Sequence, residues 1–186
     1  KALEHEAHGS NNLTRMVEMA QVLAQKVGLN EPEAHALRLA VPLLDIGTSI
    51  VPKSILQKSS PLSDEEVFKI RQHAEFGYQI LQDSSRPTIQ MAAMLAKQHH
   101  ERWDGKGYPE GLKGEEIDIR SRIATLVDVF DALLNERPYK PAWTIDKVVA
   151  VLQEENGKHF DPQLVEYVLE DLPAFIAIQA RYPNKT

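Results

Sequence analysis

An all-α fold is predicted by three observations on the sequence. Apolar residues recur at three- and four-residue spacing, alternation with period two is almost absent, and glycine, proline and polar turn residues separate the periodic runs. The first run, Leu13, Met16, Val17, Ala20, Leu23, Ala24 and Val27, predicts a long helix closed by Gly28. A second helix is predicted from Pro32 through Ala36, Leu37, Ala40 and Leu44, with a kink at Pro42 and a turn at Asp45-Ile46-Gly47. A short segment begins at Pro52. Ser63-Asp64-Glu65-Glu66 has capping-box spacing and opens a helix carrying Val67, Ile70, His73, Ala74, Tyr78 and Leu81. Further helices are predicted for 87–101, 119–134, 145–152 and 162–180. The longest irregular stretch in the core is the loop 103–118, and long loops in compact domains often carry function.

The 186 residues suit one domain, and 42% apolar content supplies a substantial core. Because residue 1 begins within charged, helix-compatible sequence, 1–186 is read as a single domain cut from a longer protein, with 1–12 an upstream helix or linker. No apolar run approaches the ~20 residues that span a bilayer, and no signal peptide precedes the start, so a cytoplasmic location without membrane contact is expected. A net charge of -6 disfavours duplex DNA as a partner, while a local cluster of Arg and Lys can still bind a small phosphate ligand. With no cysteine, any metal must be held by histidine, carboxylate and water, a set that favours iron, manganese, zinc or nickel.

The candidate ligands begin with His99-His100, adjacent imidazoles at the end of an apolar helix and just before the glycines of Gly105-Lys106-Gly107. Neighbouring side chains on a regular helix diverge by about 100°, so both reach one site only where the helix is ending. Asp45 closes an apolar run, where a lone carboxylate needs a cation, a metal or several donors; capping a turn with Gly47 is an equally good account of it. His73 shares a helical face with Ile70, Ala74 and Gly77, the setting of a ligand or of a satisfied core histidine. Asp128 and Asp131 fall beside the apolar stripe of their helix on a second face with Ala124 and Asn135; in isolation that is a solvated edge. Together, two aspartates and three histidines on separate helices suit a mixed nitrogen and oxygen metal site in a bundle. Arg137-Pro138-Tyr139-Lys140 offers a guanidinium and an ammonium to an anion, or cations to a helix end.

The string His99-His100-Glu101-x-x-Asp104-Gly105-x-Gly107-Tyr108-Pro109-x-Gly111-Leu112, then Arg122-Ile123, Asp128-Val129-Phe130-Asp131-Ala132-Leu133, Arg137-Pro138-Tyr139-Lys140 and Phe160-Asp161-Pro162, resembles the HD-GYP family of HD-type phosphohydrolases over nearly the whole chain. The resemblance implies an HD-type helical bundle with a Gly-Tyr-Pro loop and C-terminal helices, and hydrolysis of cyclic di-GMP. It implies that Asp45 bridges two cations, that His73, His99 and His100 ligate one of them, and that Asp128 ligates its neighbour. Glu101, Asp104 and Asp131 are expected to support these ligands from behind. Arg137 and Lys140 would hold the phosphates of cyclic di-GMP or a related nucleotide. The loop with Gly105, Gly107 and Tyr108 would shape the pocket mouth and, as in some members, meet a diguanylate cyclase (GGDEF) domain.

Four positions depart from the family pattern. Leu44 stands where the family's His-Asp pair has its histidine, and Thr48 stands at the position of a lysine. The family's Glu-x-x-x-His pair aligns with His8 and Asn12, leaving His8 as a candidate additional metal ligand. The expectation is therefore one well-formed metal site, a second that is weak or empty, and a degenerate domain with reduced or absent phosphodiesterase activity that acts through ligand or partner binding. An active phosphodiesterase with a variant site, and a purely structural protein-interaction module, are the alternatives.

Overall fold

A computed structural model describes residues 11–135 and 141–184, so His8, Arg137 and Lys140 lie outside the described residues. The chain order is α1 (Asn11–Lys26), α2 (Glu31–Ala40), α3 (Lys53–Leu56), α4 (Asp64–Arg71), α5 (His73–Leu81), α6 (Pro87–Gln98), α7 (Ile119–Leu134), α8 (Ile145–Glu154), α9 (Pro162–Glu170) and α10 (Leu172–Arg181). Among the described residues β-pairing is limited to one isolated bridge, Asn156 with Phe160. The fold is all-α. Asn11 and Asn12, expected in an upstream helix or linker, belong to α1, and Asn12 is buried.

Helix boundaries follow local chemistry. Asn30 and Glu33 form a capping box at the start of α2, and Ser63 and Glu66 form the one read from the sequence at the start of α4. Pro42 does more than kink its helix: α2 stops at Ala40 and the chain tightens into a 3-10 turn over Val41–Leu43, because Pro42 has no N–H to donate to the carbonyl four residues back. A second 3-10 turn, Ile46–Ile50, follows Asp45. The single helix expected from Ser63 to Leu81 is two, broken at Gln72. That expected over 162–180 also divides, at Asp171, where Pro173 cannot supply a helical hydrogen bond. α6 ends at Gln98, earlier than the expected 101, with His99 as its C-cap.

The core joins α1, α2, α6 and α7 through Met19, Leu23, Leu37, Leu95, Ile123 and Leu126, all nearly inaccessible to solvent. α8, α9 and α10 close one end with Leu152, Leu164 and Phe175, whose ring meets Phe130 edge-on at 5.7 Å. α5 packs along α6 and against the 3-10 turn after Asp45, so the elements bearing Asp45, His73, His99 and His100 meet in one region.

Candidate metal centre

Asp45, His73, His99 and His100 converge, each offering one ligating atom, with all of these atoms within 4.8 Å of one another. Three backbone devices bring them there. The break at Gln72 makes His73 the first residue of α5, and the end of α6 at Gln98 lets adjacent His99 and His100 turn toward one point. Gly47 allows the turn after Asp45 to rest directly on the backbone of His73 and Gly77.

The ring orientations are fixed from behind. His73 donates its Nδ1–H to the Ile70 carbonyl at 2.6 Å, and His99 donates its own to the carbonyls of Leu95 and Ala96 at 3.0 and 2.9 Å. In the neutral rings the Nε2 atoms then carry lone pairs. These two Nε2 atoms are 3.3 Å apart, and the Asp45 Oδ1 lies 3.1 Å from that of His99 and 3.7 Å from that of His73. Three electron-rich atoms at such separations repel unless a cation or a shared proton lies among them. The Nε2 of His100 is buried and has no hydrogen-bond partner. Backbone-anchored imidazoles with a carboxylate and one orphaned buried nitrogen fit a divalent cation of the kind that histidine and oxygen ligands favour.

The surroundings pull His99 and His100 in opposite directions. Burial disfavours a charged His99, but the adjacent Asp45 carboxylate and the charge of Asp128 outweigh it and raise its pKa. His100 is held well below the usual imidazole range by burial and by the other two imidazoles, so it is neutral and able to ligate at pH 7. The Asp45 side chain does not cap the turn that it precedes; it faces the imidazoles instead.

Asp128 stands outside the four-residue cluster, close enough to act on His99 through space. Asp131, one turn further along α7, is held by partners of its own. Its carboxylate is buried against the Arg15 guanidinium (2.5 and 3.1 Å) and accepts from Asn12 and Asn135. A buried carboxylate so near a buried arginine pairs with it. Glu101 is a loop organiser: its two oxygens accept from the backbone N–H groups of Glu110 and Leu112 at 2.7 and 2.9 Å. Burial raises the Glu101 pKa against those hydrogen bonds. Asp104 pairs with Arg102 and caps the Lys106 N–H, and the Arg102 contact holds its pKa low.

The loop so held carries Tyr108 onto His100, ring to ring at 4.9 Å and nearly parallel. Gly107 lets it run close: a Cβ there would lie 2.4 Å from the His100 carbonyl oxygen. Leu44 lies in the main hydrophobic core, and Thr48 gives its hydroxyl hydrogen to the Asp45 carbonyl at 2.8 Å. In the sequence Gly47 reads only as a turn residue and Gly77 only as part of a helical face, and nothing there singles out Arg71, whose guanidinium lies over the Tyr108 ring.

Three imidazoles and an aspartate gathered between the helices of an all-α bundle form a candidate metal centre. The chain matches the HD domain family over residues 2–164, and it belongs to that family. It is 42% identical over 170 residues to the cyclic di-GMP phosphodiesterase response regulator RpfG of Xanthomonas campestris pv. campestris, covering 91% of this chain and 45% of that protein. It is 42% identical over 173 residues to the 3'3'-cGAMP-specific phosphodiesterase 2 of Vibrio cholerae, covering 93% and 33%. With a cyclic di-GMP phosphodiesterase of Thermotoga maritima it shares 38% identity over 148 residues, covering 80% and 40%. The chain thus spans less than half the length of each of these relatives. A crystal structure of a cyclic GMP-AMP-specific phosphodiesterase of V. cholerae (V-cGAP3) has the same fold, with a TM-score of 0.66 at 24% identity over 89% of this chain and 45% of that one. No described helix is long and apolar enough to cross a membrane.

Proposed function

We propose that this chain is a metal-binding cyclic dinucleotide domain of the HD-GYP kind, with cyclic di-GMP or a related 3'3'-linked nucleotide as its ligand and a reduced phosphodiesterase rate. The single observation that carries this reading is the convergence of Asp45, His73, His99 and His100. The cyclic dinucleotide phosphodiesterases among its relatives support the ligand class.

Asp45, His73, His99 and His100 would hold one cation among iron, manganese, zinc and nickel, with Asp128 and His8 beside a second, weaker or empty position. When bound, a divalent cation supplies Lewis-acid charge to a phosphodiester and a nucleophile at neutral pH. The chain's own residues do the rest. His73 and His99 keep their Nε2 lone pairs aimed inward by donating Nδ1–H to backbone carbonyls. Tyr108 covers the cluster on the His100 side. Arg137 and Lys140 are assigned to the ligand phosphates, and the loop around Tyr108 to a surface for a diguanylate cyclase (GGDEF) domain.

Leu44 and Thr48 argue for slow turnover. An apolar core side chain cannot ligate, and a hydroxyl that donates to a carbonyl brings no positive charge. Losing one charge-stabilising donor at a reacting centre is often worth ~100-fold in rate. Full turnover is the second reading, favoured by the complete group of four and by the phosphodiesterase relatives.

Calorimetry and product analysis on metal-loaded protein test the proposal. Cyclic di-GMP is expected to bind, with slow release of pGpG or GMP. Rapid release supports the second reading. No binding by folded, metal-loaded protein overturns both and leaves a protein-interaction module.

A further inference from the structure

Arg71 ends α4, two positions before His73 opens α5. Side chains two positions apart on a helical path point about 200° away from each other, so the segment that sends the His73 ring into the cluster sends Arg71 outward, where it is exposed. Its guanidinium carbon lies 4.9 Å from the centre of the Tyr108 ring, and that ring stacks at 4.9 Å on His100. Guanidinium, phenol and imidazole thus form a continuous series from solvent to the metal cluster.

The Arg71 guanidinium rests on the Tyr108 ring. Nearby cations differ. Lys97 is bound to Glu110 at 2.8 Å and Arg102 is bound to both Asp104 and Glu155. Arg71 is therefore a positive charge held beside the pocket on an aromatic face, which leaves guanidinium N–H groups at the edge for an anion.

We propose that Arg71 is a phosphate-reading residue of this site, supplying from α4 the positive charge that Thr48 does not supply from the turn after Asp45. The inference rests on the cyclic dinucleotide reading above. A cyclic dinucleotide carries two phosphates; with one at the cluster, Arg71 meets the anionic part of the ligand that reaches toward solvent past Tyr108. A guanidinium suits this task because it stacks and donates at once, which an ammonium does less well.

The test is isothermal calorimetry of cyclic di-GMP with metal-loaded wild type, Arg71→Met and Arg71→Lys, each at low and high ionic strength. Arg71→Met is expected to weaken binding by about 10- to 100-fold, the range for losing a charged hydrogen bond. Metal content and melting temperature stay at wild-type values, the ionic-strength dependence becomes shallower, and Arg71→Lys recovers part of the affinity. An Arg71→Met protein that binds as tightly as wild type overturns the proposal. So does a loss of equal size in Arg71→Lys with unchanged salt dependence, because Arg71 would then act only by holding Tyr108. If wild type itself binds no cyclic di-GMP, the functional reading and this inference fall together, whereas the two variant outcomes remove this inference alone.

Discussion

Gly47 and His73 are in backbone contact: a Cβ built on Gly47 would lie 1.9 Å from the His73 carbonyl oxygen and 2.5 Å from the Gly77 nitrogen. The turn that carries Asp45 and the helix that carries His73 are thereby pressed together, and the carboxylate reaches the imidazoles because no side chain separates the two backbones. Gly47→Ala must push them apart. It is expected to cost more than about 3 kcal/mol, beyond the usual range for overpacking because the clash is with backbone. Retained metal should fall with stability, as checked by urea unfolding and metal content on the same preparation.

The Arg15–Asp131 pair gives a second expectation. Both side chains are about 1% exposed, and Arg15 also donates to the Tyr182 carbonyl at 2.6 Å, tying the end of α10 to α1 and α7. Asp131→Ala leaves a buried guanidinium without its counter-charge and should destabilise by about 3–5 kcal/mol. Replacing both partners, Arg15→Met with Asp131→Leu, should recover most of that loss. Denaturant midpoints of the single and double variants check this.

His159 supplies a pH dependence. Burial, followed by the Arg102 charge, lowers its pKa to about 4. The unfolded chain takes up this proton near 6.5, so stability is complete above about pH 6.5 and declines as pH falls toward 4, by about 3 kcal/mol in all. His159→Gln should remove this part of the decline in melts between pH 7 and pH 4.

Thr48→Lys should raise any phosphodiesterase rate by about 10-fold or more, since it returns a charge beside Asp45. Leu44→His is a different matter. Leu44 belongs to the core, so that change alone should lower the melting temperature while offering a ligand. The double variant is expected to be faster than Thr48→Lys alone; a folded but inert double variant would show that more than these two positions limits the rate.

The sequence held much of this because helix periodicity and capping are local. The Ser63 capping box, the Gly28 stop and the end of a helix near His99-His100 could be read without tertiary information. The partners of Asp131 could not. Periodicity placed it beside Asp128, yet one helical turn separates a carboxylate near the cluster from one committed to Arg15, and only packing against α1 decides between them. Gly47 read as turn punctuation, whereas its role is a contact with α5 across the fold. The breaks at Gln72 and Asp171 were hidden because apolar spacing continues through both.

Metal content measured after dialysis, on wild type and on His99→Ala, tests the central claim most directly, with His35→Ala as an exposed control. Wild type loaded with iron, manganese, zinc or nickel should retain close to one equivalent of at least one of them through Asp45, His73, His99 and His100, His35→Ala should match it, and folded His99→Ala should retain almost none. A folded wild type that keeps none of these metals, or a His99→Ala protein that keeps as much as wild type, would contradict the account.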